Sequence, residues 1–180
     1  RIVRGKRIFD FASGSGLVAI AAMKAGAAAA TASEIDPFAQ EAVQLNAVLN
    51  GVTVAGFSGD CLGQHVDADV ILAGDVFYER DMAAAVGAWL KPMAEAGRMV
   101  LVGDPGRSYL PRPLLVQVAE YRVPVTRDLE DAEIKRAQID GLADFPVYTR
   151  KVHTDVAYIA CARKLLSARD INQPDPSPAD

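Results

Sequence analysis

Short apolar runs, each closing on an acid or a glycine, recur along this chain with helical stretches between them. Lys6 to Phe11 reads as a buried strand, followed by the small-residue run Ala12-Ser13-Gly14-Ser15-Gly16. Leu17 to Lys24 has helical composition, and Gly26 is placed to stop it. Thr31 to Ile35 predicts a second strand. Asp36-Pro37 then predicts a helix start, because an Asp side chain accepts from the free amides and Pro suits the first turn; the helix runs to about Asn50. Val52 to Phe57 is the third strand, and Asp69 to Ala73 the fourth, apolar enough to be buried on both faces. Asp81 to Leu90 is helical, with Met82, Val86, Trp89 and Leu90 on one side. Arg98 to Val102 is the fifth strand, which Asp104-Pro105-Gly106 turns away.

Beyond Leu114 the pattern loosens. Tyr121 to Thr126 predicts a sixth strand, at a sheet edge because Pro124 lacks a donor. Either Ile134 to Leu142 or Val152 to Ala162 supplies the last strand; in the first case everything from Ala143 onward is an extension. Strands alternating with helices imply an α/β fold: a mostly parallel, Rossmann-like sheet with right-handed crossovers and helices on both faces. One domain is expected over 1–165, with a polar tail rich in Pro and Asp over 166–180.

Composition fits this. With 180 residues, 51% of them apolar and 23% charged, the chain makes one globular core. Nineteen basic residues against 23 acids give a net charge of −4, which argues against a nucleic-acid binder relying on an overall positive field. Cys61 and Cys161 are too few for a disulfide scaffold, and His65 and His153 stand alone, so no metal site is expected. The stretch Leu17 to Ala32 is interrupted by Lys24 and Gly26 and does not read as a membrane span, so no membrane partner and a cytoplasmic location are expected. The chain opens at Arg1, shortly before its first strand-like segment, and an upstream segment is expected to be missing.

In open α/β sheets, cofactors bind beyond the carboxyl ends of the strands. This sequence places Asp10 and the Gly14-x-Gly16 turn after the first strand, Glu34 and Asp36 after the second, Asp60 after the third and Asp75 after the fourth. Small residues let backbone approach a ligand, and the helix that follows directs free amides at it. Glu34 or Asp36 could take a ribose diol. The joint pattern points to a nucleoside-containing ligand. Position 19 is Ala, which a dinucleotide fingerprint tolerates, so spacing alone leaves a nicotinamide-linked oxidoreductase open. Asp10, however, would repel a pyrophosphate and attract an ammonium. That favours S-adenosylmethionine, which carries a sulfonium, an α-amino group and no phosphate.

Asp10-x-Ala12-x-Gly14-x-Gly16, Gly59-Asp60, Gly74-Asp75-Val76-Phe77-Tyr78-Glu79 and Val102-Gly103-Asp104-Pro105-Gly106-Arg107, together with Asp36-Pro37 and Leu45-Asn46, resemble the seven-strand class I methyltransferases. Ala12 replaces the first glycine of the family's first motif. Over roughly Gly5 to Asp131 the motifs look most like the bacterial branch of lysine methyltransferases acting on the electron transfer flavoprotein β-subunit. The resemblance implies S-adenosylmethionine as cofactor, with S-adenosylhomocysteine as product. Asp10, Gly14 and Gly16 would surround its methionine part, Glu34 its ribose and Asp60 its adenine. Ala12, Ser13, Ile35, Asp36, Cys61 and Asp75 are grouped with these as cofactor contacts. Asp75 and Tyr78 would be catalytic, and Phe77, Tyr78, Glu79 and Arg107 would lie along the substrate's approach. The implied partner is a protein substrate; related proteins are also described as nicotinamide N-methyltransferases or ribosomal-protein methyltransferases. A methyltransferase-like fold serving only as a binding module is a third reading, which the intact acids oppose.

Overall fold

The computed structural model describes residues 2–124 and 134–142, with side chains described through Glu120. Its strands are β1 (Arg7–Phe11), β2 (Ala29–Ser33), β3 (Ala55–Phe57), β4 (Val70–Gly74), β5 (Met99–Asp104), β6 (Leu115–Pro124) and β7 (Ile134–Leu142). Its helices are α1 (Leu17–Lys24), α2 (Pro37–Leu49) and α3 (Arg80–Glu95), with a short 3-10 turn at Arg112–Leu114. One sheet holds all seven strands in the order β3-β2-β1-β4-β5-β7-β6. The pairs β2/β3, β1/β2, β1/β4 and β4/β5 are parallel, whereas β7 runs antiparallel between β5 and β6.

Strand alternation divides the core into two layers. Ile8, Val70, Leu72 and Leu101 face one side and pack with Val18, Ala19 and Ala22 of α1 and with Val43 and Ala47 of α2. Phe9, Phe11, Ile71, Ala73, Val100 and Val102 face the other and pack with Ala83, Val86, Trp89, Leu90 and Met93 of α3. Trp89 is a packing residue: its ring meets Phe9 and Phe11, and its Nε1–H donates to the Gln64 carbonyl at 2.9 Å.

Helix α1 has the bounds read from the sequence, and α2 starts on the Asp36 cap, whose carboxylate accepts from the Phe38 amide at 2.8 Å. Strand β2 begins two residues earlier than expected. Alanines have weak strand propensity, but Gly26, at φ 89°, ends α1 and frees Ala29 and Ala30 to pair with β1. The strand ends at Ser33 because the Glu34 carboxylate then takes the amides of Ile35 and Asp36. Helix α3 continues through Pro92 to Glu95; the carbonyl that Pro92 leaves without a donor belongs to Ala88, which is exposed to water. Strand β6 starts at Leu115, six residues before the expected Tyr121, and ends on Pro124 at the sheet's edge. Of the two candidates for the last strand, Ile134–Leu142 takes the place; the other lies outside the described residues.

Candidate functional site

The carboxyl ends of β1, β2 and β4 open onto a cavity of about 500 Å³, within the range of small-molecule sites. Ten of the expected residues line it: Asp10, Ala12, Ser13, Gly14, Glu34, Ile35, Asp60, Cys61, Asp75 and Tyr78. Four of those ten are acids, and no lysine or arginine is among the described residues of the lining.

Each acid is held differently. Asp10 lies on the α1 side of β1, 2% exposed, and its Oδ2 accepts from the Ala19 amide at 2.9 Å. Burial pushes its carboxyl up from 3.8 to about 7; the Ala19 hydrogen bond opposes the rise and the nearby Glu34 charge adds to it. Glu34 ties two loops together, accepting from the Gly14 amide at 2.9 Å and from Ile35 and Asp36 at 2.8 and 3.2 Å. Asp60 is exposed, and its Oδ1 caps the Leu62 amide at 2.9 Å. Asp75 follows β4 in the left-handed region, φ 54°, with its amide donating to the Gly103 carbonyl at 2.7 Å. Ala12 is likewise left-handed, φ 50°. Among the described residues these are the two non-glycine positions with positive φ, and both line the cavity; backbone strain of this kind gathers at functional sites.

The loop after β1 has the form of a ligand cradle. A Cβ on Gly14 would meet open space, and the buried Ser13 hydroxyl has no hydrogen-bond partner. Cys61 is buried, and its sulfur accepts from the Ser33 hydroxyl at 3.2 Å; burial raises the thiol above its ordinary value, so a thiolate nucleophile is disfavoured.

Five expected site residues stand elsewhere. Gly16 is not in the cavity wall but packs α1 against α2: a Cβ there would lie 2.9 Å from Val43 Cγ1. Asp36 is spent on the α2 cap. Phe77, 1% exposed, belongs to the core beside Val76 and Ala83, so it walls no substrate channel; its neighbour Tyr78 is 58% exposed and does face the cavity. Glu79 caps α3, accepting from the Asp81 amide at 3.3 Å. Arg107 reaches the site through Asp75, pairing Nε with Oδ1 at 2.6 Å and Nη2 with Oδ2 at 2.7 Å. Nine further residues of the lining were not expected there, among them Ser33, Leu62 and Met82. Ser33 adjoins Glu34 and Leu62 adjoins Cys61, so both were within reach of the motif; Met82 had no signal beyond its place on the apolar side of α3.

Comparison with known proteins divides the chain in two. Residues 1–76 match the family model of the ribosomal protein L11 methyltransferase, PrmA. The mouse electron transfer flavoprotein β-subunit lysine methyltransferase is 39% identical over 130 residues, covering 68% of this chain and 51% of that protein. Over the part that these matches cover, the chain is similar to the class I S-adenosylmethionine-dependent methyltransferases. It spans about half the length of the curated relatives it matches. The crystal structure of a ribosomal protein L11 methylase from Lactobacillus delbrueckii shares the fold, with TM-score 0.53, 20% identity and coverage of 78% of this chain and 71% of that one. Residues 129–175 match a different family model, proline dehydrogenase. Consistent with that, the bifunctional protein PutA of Escherichia coli is 64% identical over 44 residues, 24% of this chain and 3% of that protein.

Proposed function

We propose that this methyltransferase binds S-adenosylmethionine in the β1/β2/β4 cavity and methylates a lysine amine of a protein, with the electron transfer flavoprotein β-subunit as the leading acceptor. The supporting observation is the lining: four acids and no described lysine or arginine of its own, with Arg107 reaching in only to pair with Asp75 and Asp10 carrying its charge as pH rises through about 7, suit a ligand with a sulfonium and an ammonium better than the pyrophosphate of a nicotinamide dinucleotide. The choice of acceptor is supported by the likeness to lysine methyltransferases named for that subunit. Ribosomal protein and nicotinamide are the alternatives that the same chemistry allows.

When bound, the cofactor supplies a methyl carbon already activated by its sulfonium. Asp10 would face its ammonium, and Glu34, whose Oε2 keeps one lone pair beyond its bond from Gly14 while Oε1 already accepts from two amides, would take a ribose hydroxyl. Asp60 and Cys61 would flank the adenine. Tyr78 and Met82 would line the mouth where an amine enters. Asp75 would accept an N–H from that amine and aim its lone pair, which matters because positioning carries most of what the protein contributes to such a displacement.

Labelled-methyl transfer to the flavoprotein β-subunit, a ribosomal protein and nicotinamide tests the reading. Asp75→Asn is expected to lower kcat by about 100-fold or more while leaving S-adenosylhomocysteine affinity within about threefold. Loss of cofactor binding with unchanged transfer chemistry would reassign Asp75.

A further inference from the structure

Asp75 and Arg107 lie 32 positions apart, yet they meet as a two-pronged pair at the cavity mouth. We infer that Arg107 is a positioning residue: it fixes the Asp75 carboxylate and offsets its charge, so that the substrate amine is received as the neutral base. The inference rests on the methyltransferase reading of the site.

The geometry is built from both strand ends. Asp75 is anchored by the hydrogen bond that its amide donates to the carbonyl of Gly103, the β5 partner of Gly74. Arg107 is anchored by Asp104, 2% exposed, whose Oδ1 accepts from the Gly106 amide at 2.6 Å and the Arg107 amide at 2.7 Å. The fork then occupies one lone pair on each Asp75 oxygen, and each oxygen keeps another.

An isolated carboxylate beside an amine stabilises the ammonium form, which has no lone pair and cannot attack. A lysine's ordinary value near 10.4 already makes the free base scarce at neutral pH, so an uncompensated Asp75 would make it scarcer. With Arg107 in place, the pair carries no net charge toward the amine but still accepts its hydrogen bond. In the transfer the nitrogen lone pair forms the new N–C bond and the S–C electron pair stays on sulfur. The proton lost before attack passes to water at the mouth. Other ionisable groups bear on the same amine. Asp10, Glu34, Asp60 and Tyr78 line the cavity. Asp104 lies beneath Arg107, while Glu79, Arg80 and Asp81 stand at the head of α3. All of them are common to the variants compared below.

The test measures kcat against pH in the full chain at saturating acceptor, for wild type, Arg107→Gln and Arg107→Lys. For Arg107→Gln the midpoint of the rising limb is expected to move up by about one pH unit, and Arg107→Lys to return most of that shift. A second readout needs no turnover: binding of Nα-acetyl-lysine amide in the presence of S-adenosylhomocysteine. Wild type is expected to bind it more tightly as pH rises from 7 to 10, and Arg107→Gln more tightly as pH falls. An unmoved kcat midpoint, an Arg107→Lys midpoint displaced as far as that of Arg107→Gln, or one pH dependence of amine binding in all three proteins would overturn the inference. Absence of methyl transfer by wild type, with the expected pattern of amine binding, would instead overturn the proposed function alone.

Discussion

At the residue scale, Asp10 makes the sharpest statement about pH. Its carboxyl is 2% exposed and burial raises it from 3.8 to about 7. An acid raised in this way holds its proton more tightly folded than unfolded, so its contribution to stability is greatest below about pH 4 and is lost as pH climbs through about 7. The size is up to about 4 kcal/mol across that window. Urea unfolding at pH 5 and pH 8 is expected to show the loss in wild type and little of it in Asp10→Asn, whose amide oxygen can still accept from Ala19. Equal slopes in the two proteins would contradict this. The four acids of the cavity were legible in sequence because each closes an apolar run or follows a turn glycine. The clamp on Asp75 was not, since nothing in a linear pattern brings position 107 to position 75. Nor was the division between Phe77 and Tyr78: one turn sends adjacent rings to the core and to the mouth, and only backbone direction decides which.

At the element scale, the glycine motif splits into two jobs. Gly14 leaves room in the cavity wall, whereas Gly16 lets α1 approach α2 at Val43. Gly16→Ala is expected to cost about 2–4 kcal/mol, from the left-handed backbone and the overlap with Val43, in a chemical denaturation series. Asp36→Ala is expected to cost about 1 kcal/mol through the lost α2 cap and to leave S-adenosylhomocysteine affinity unchanged, because Asp36 lies outside the lining. A large affinity loss in Asp36→Ala would return that residue to the site. Capping chemistry is local, which is why the bounds of α1 and α2 could be read in advance. Strand ends depend on pairing partners, which is why β2 and β6 began earlier than their composition suggested.

At the scale of the molecule, the match to the L11 methyltransferase model covers residues 1–76, and the stretch matching proline dehydrogenase begins at residue 129. Strand β7 falls inside that stretch, yet it pairs with both β5 and β6 and completes the sheet. A chain ending at Leu142, which keeps β7 and every residue of the cavity, is therefore expected to melt at a higher temperature than one ending at Asp128. A chain ending at Asp128 is expected to lose several degrees of Tm, because the β5 and β6 backbones lose their shared partner. Similar melting of the two truncations would show that β7 contributes nothing to the fold. Every residue of the cavity lies between Asp10 and Met82, within the part that resembles methyltransferases, and that part is expected to bind S-adenosylmethionine. Calorimetric titration of the protein with S-adenosylhomocysteine and, separately, with NAD tests it most directly. One-site binding of S-adenosylhomocysteine that tightens as pH rises from 6 to 8, with no detectable heat from NAD, is the expected result; binding of NAD without S-adenosylhomocysteine would contradict it.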